Sequence, residues 1–135
     1  MIRYQIKKEL IKLLLQNNIK VLPHRSQDIP QDTYLLFIGD MQEQDSVIQM
    51  SNTRRYQSLN IDFICVGYSE EQCNEIMTQV MDLVINDSTY KELATAGINV
   101  STLTSTSGYS NSERNSTEMV HSVVQTINLN YLKGR

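Results

Sequence analysis

Residues 56 to 68, YQSLNIDFICVGY, run straight into SEEQCNEIMTQVMDLV. Leu59, Ile61, Phe63 and Cys65 alternate with Ser58, Asn60 and Asp62. Period-two alternation predicts a strand with one face on a core and the other on water. The far end of the strand, Ile64 and Val66, is apolar on both faces. Ser69-Glu70-Glu71-Gln72 follows, a capping box in which the serine hydroxyl accepts from the Gln72 amide. Glu70 and Glu71 suit the positive end of a helix. Cys73, Ile76, Met77, Val80 and Val84, with Leu83 beside them, then form an apolar helical stripe. A chain built around this segment has to lay a helix on one face of a sheet.

The remaining segments fit that frame. Ile2, Ile6, Leu10, Leu13 and Leu14 predict an amphipathic helix ended by Asn17-Asn18. IKVL (19 to 22) is a short strand candidate before a loop over 23 to 32 that holds both prolines. TYLLFIGD (33 to 40) is nearly all apolar and predicts a central strand covered on both faces. Residues 41 to 53 are mostly polar, as a mobile loop or the tip of a long hairpin. YKELATAG predicts a short helix stopped by Gly97, and INVSTLTST (98 to 106) a thin, threonine-rich strand. Residues 107 to 117, SGYSNSERNST, predict a long polar loop, idle or used for contact. Val123, Ile127, Leu129 and Tyr131 mark a final long strand. The expected fold class is α+β: an antiparallel or mixed β-sheet with two main α-helices packed on one face and long polar loops, one domain over residues 1–135. Both sheet edges need cover from loops or partner subunits.

An apolar share of 40% and 7 tyrosines suffice for a buried core in 135 residues. Ser, Thr, Asn and Gln make up about a third of the chain. The net charge of -3 argues against a dedicated nucleic-acid binder, whose affinity rests on phosphate neutralisation. No segment approaches the roughly 18 apolar residues of a membrane span, and the charged N-terminus lacks the apolar run of a signal peptide. The reading is a soluble cytoplasmic protein without membrane contact.

Motifs for catalysis are wanting. His24 and His121 stand apart, without metal-ligand spacing. Cys65 and Cys73 are too few and too oddly spaced for zinc or a redox CxxC, and read as buried reduced thiols. No glycine cluster forms a phosphate-binding loop. The expectation is no enzyme, no metal and no cofactor. Arg54 and Arg55, where a polar loop becomes a strand, suit ion pairs across a protein interface. Tyr109 and Arg114, in the polar stretch, are of the residue types that anchor interfaces.

The succession KKELIKLLLQ, TYLLFIGD, RRYQSLNIDFICVGY with its helix SEEQCNEIMTQVMDLV, and VVQTINLNYLK resembles the tail-completion proteins of long-tailed bacteriophages, the tail terminator or tail-to-head joining family. The resemblance covers almost the whole chain and rests on element order and texture. It implies a non-enzymatic virion protein that forms a hexameric ring, caps the tail tube and docks on the head connector. Its partners are then its own copies, the tube protein and the connector. DNA would pass through the ring without specific binding, and assembly would take place in the host cytoplasm. A different phage head-completion or minor capsid protein, or a small ligand-binding α+β regulatory domain, are the alternatives.

Overall fold

The computed structural model describes residues 2–22, 34–46, 55–115 and 118–133. Its elements run α1 (Ile2–Gln16), β1 (Tyr34–Ser46), β2 (Arg55–Gly67), α2 (Glu70–Val84), α3 (Asp87–Thr95), β3 (Val100–Asn115) and β4 (Glu118–Lys133). The four strands form one sheet in the order β1-β2-β4-β3, with every neighbouring pair antiparallel. The fold is α+β.

The helices lie on one face, as their apolar stripes require. Ile6, Leu10 and Leu14 of α1 recur every fourth residue, and all three are buried. Cys73, Met77, Val80 and Val84 of α2 and Leu93 of α3 join them. Against this layer the sheet sets Leu36, Ile38, Leu59, Ile61, Phe63, Ile127 and Leu129 in one continuous core. Burying a side chain of this size contributes roughly 1.5–3 kcal/mol, so this layer is the main favourable term of the fold. Thr89 is fully buried within it, and its hydroxyl donates to the Leu83 carbonyl at 2.9 Å, fastening α3 to the end of α2.

Local signals set the helix ends. The Ser69 hydroxyl accepts from the Gln72 amide at 3.2 Å, as the capping box predicts. Asn86 caps α3 by accepting from Ser88 N. The chain leaves α1 and α3 by the same device. Asn18 (φ 65°) and Gly97 (φ 87°) take the left-handed conformation. The next residue then donates back to the helix, Ile19 N to Leu14 O at 2.9 Å and Ile98 N to Leu93 O at 2.8 Å. Both apolar pairs so joined are buried.

Two expectations need correction. TYLLFIGD is an edge strand, not a central one. Its apolar run does report cover on both faces, since Leu36 and Ile38 face the helices while Leu35 and Phe37 join Val66 in a second cluster. Part of its outer edge is closed by Leu22, which bridges Phe37 in parallel, with Leu22 N to Leu36 O at 2.9 Å and Ile38 N to Leu22 O at 3.0 Å. Leu22 is the one residue of IKVL that pairs.

The second correction concerns the long polar loops. Residues 41–46 continue β1, and 105–115 continue β3 up to the register pair Asn115–Glu118. Residues 47–53 and 116–117, and the proline loop, lie outside the described residues. β3 lacks apolar alternation because it packs little on either face; ladder hydrogen bonds to β4 hold it. Where its register slips, Ser101 and Thr106 donate their hydroxyls to the Asn130 and Thr126 carbonyls, at 3.1 and 3.3 Å. Each irregularity is thereby tied back to the partner strand.

Candidate functional site: the open sheet face and its free edge

The face of the sheet without helices divides into two zones. Towards the Gly67–His121 end, Phe37, Ile64 and Val124 stand in one cross-strand row, with Leu35 and Val66 above. Tyr109 of β3 continues the row, paired with Val124, and is 64% exposed.

Below that row the face turns polar at once. Thr126 donates to Asp62 Oδ1 at 2.6 Å. The Asn128 amide donates to Ser58 Oγ at 2.8 Å and to Asn60 Oδ1 at 2.9 Å. Asn130 donates to Thr102 Oγ1 at 2.7 Å and to Asn128 Oδ1 at 3.0 Å. The ladder ties β2, β4 and β3 together through side chains. Asp40 and Gln42 of β1, with Asn60, Asp62, Thr126 and Ser107, surround an open depression of about 340 Å³. Asp40 falls where the β1–β2 register slips, between Ile38 and Met41.

On the helix side, the Tyr131 hydroxyl donates to Glu43, linking β4 to β1 across β2. Burial pushes the Tyr131 phenol above its ordinary value, and the Glu43 carboxylate pushes it further. The neighbouring Gln57 is buried, and its Oε1 lacks a hydrogen-bond partner among the described residues. Cys65 and Cys73 are free and buried. The neighbouring Cys73 thiol, and burial, hold the Cys65 thiol above its ordinary value.

His121, on the last strand, has its Nδ1 2.7 Å from the Ser112 hydroxyl of β3. Sequence spacing hides this pair because it arises from register. A nucleophilic serine needs an oriented imidazole beside it, and among the described residues no carboxylate bonds this one. The contact serves as a cross-strand pin.

The structure does not gather the four interface candidates. Arg54 lies outside the described residues. Arg55 opens β2 opposite Lys133, and Arg114 lies on β3 opposite Met119. Lys133 and Met119 are 133 − 119 = 14 residues apart on β4, about 45 Å at the rise of a strand. Tyr109 lies on the same strand as Arg114 but pairs with Val124, near the middle of β4. Arg55 and Arg114 therefore lie at opposite ends of the sheet, with Tyr109 between them. Sequence reasoning missed the polar ladder, although the alternating Ser58, Asn60, Asp62 and Thr126, Asn128, Asn130 carried the signal.

No protein-family model matches the chain, and no curated protein matches it.

Proposed function

We propose that this chain is a non-enzymatic structural subunit of a long-tailed phage, one that closes the tail tube and joins it to the head connector as a ring of copies. The element order, helix, two strands, two helices, two strands, supports this reading. The observation that carries it is the spread of the interface candidates along the sheet. Arg55 and Arg114 stand about 45 Å apart along β4, with Tyr109 between them. A joining protein has to hold one partner at each end. Sheet edges and a polar face suit a subunit that stays soluble until neighbours cover it. In this reading the protein resides in the virion and assembles in the host cytoplasm. Among the described residues no helix is long and apolar enough to cross a membrane.

Mixing the purified chain with tail tubes and with connectors, followed by size exclusion and electron microscopy, tests the proposal. Rings seated on tube ends are expected. A chain that joins neither partner, with both present, sinks it. The depression on the open face favours a second reading, a small-ligand-binding domain. A melting temperature that rises with added ligand would select that reading.

A further inference from the structure

We propose that the free chain pairs with a second copy of itself, β3 against β3, across a two-fold axis normal to the sheet. This does not depend on the ring reading and uses only the shape of one strand.

β3 is an edge, so one side of its backbone has no strand partner among the described residues. Exposed edges in stable monomers are guarded by lysine, proline, bulges or a covering element. The lower part of β3 is guarded, since both its register slips lie before Ser107. From Ser107 to Ser112 the guards stop. These six residues hold register with β4 unbroken, carry no charge and no proline, and are all exposed.

The other edge of the sheet cannot serve this run. Tyr109, Val124, Ile64 and Phe37 form one row across the sheet, so the upper run of β3 is level with Phe37 of β1. There the β1 edge is already taken by Leu22. Copies set side by side at equal height would bring a blocked edge to the open one. A two-fold partner brings an open edge instead. Two identical strands related by such an axis run antiparallel, like every other pair in this sheet. Their side chains keep the same faces, so the helices of both copies stay on one side of an eight-stranded sheet, four strands from each copy.

Nothing described overhangs the seam. Gly108, Ser110 and Ser112 on the helix side are exposed, as are Tyr109 and Asn111 on the other. The run is neutral, so like faces like without charge repulsion.

Sedimentation velocity and hydrogen exchange on the full chain, over a concentration series, test the pairing. A dimer is expected to form, with the outward-pointing amides within 107–112 slowing as it fills and β1 amides unchanged. Ser110→Lys and Asn111→Lys, one on each face, should each weaken the dimer about tenfold by setting two ammonium groups at the seam. Both positions are exposed, so melting of the dilute chain should not move. A chain that stays monomeric throughout the series overturns the proposal. So does a dimer protected in β1 but not at 107–112, or lysine variants that dimerise as tightly as the parent. Failure here leaves binding to tubes and connectors to be decided by its own experiment.

Discussion

Asp62 and Phe63 are neighbours in the chain and point to opposite faces of β2. Phe63 is fully buried in the main core, while Asp62 takes a hydrogen bond from Thr126 on the open face. Phe63→Ala should lower unfolding free energy by about 3–5 kcal/mol, read from denaturant titration. A near-neutral result would mean that the strand faces the other way. Tyr131 gives a pH prediction. Its folded-state pKa is raised, so the native chain keeps a proton that the unfolded chain releases near the ordinary phenol value of 10.0. The stability this supplies is complete below that pH and is lost as pH rises above it. Tyr131→Phe should flatten the alkaline loss of stability. It should leave a smaller slope from Tyr34, whose phenol burial also raises. Both parts are measurable as melting temperature against pH.

Elements differed in how far they could be read. Helix signals are local: a stripe, a cap and a left-handed residue lie within a few positions of one another. Ser69→Ala should therefore cost about 1 kcal/mol by removing the α2 cap. Gly97→Ala should cost about 1–2 kcal/mol, although nothing lies within 4 Å of the added methyl, because φ is 87°. Thermal melting of the two variants checks both. β2 was equally legible from its alternation. β3 beyond residue 106 was not, because a strand held by a neighbour's backbone need not alternate. Its serines and asparagines read as turn formers, and only β4 beside them makes them a strand. Gly108 fits the same account. A methyl there would collide with Gln125 Oε1, and the Gln125 amide lies across the glycine to reach Ser105 Oγ.

For the whole molecule, the stretch 107–115 changes from a removable loop into half of an edge strand. Cutting it out would uncover β4, so a point substitution is the cleaner probe. Tyr109→Ser should leave melting within about 0.5 kcal/mol, since the ring is exposed, and should weaken capture by tail tubes or connectors in a pull-down. Unchanged capture would remove Tyr109 from the contact. Replacing Arg54 and Arg55 with Glu should likewise leave the subunit folded and weaken ring formation, judged by electron microscopy. The sequence by itself determined the elements whose signals are local: three helices with the Ser69 cap and the Asn17-Asn18 and Gly97 stops, the two-faced strand β2, and a composition without a catalytic motif. It also determined that the apolar run of β1, Leu35 to Ile38, is covered on both faces. Tertiary structure alone decided that β1 is an edge, that the last strand sits inside the sheet, and that a polar run becomes a strand. Strand order and register are fixed by partners far away in the chain, and no window of neighbouring residues contains them. The same holds for the amide ladder and the open edge of β3, which exist only once β2, β4 and β3 lie side by side.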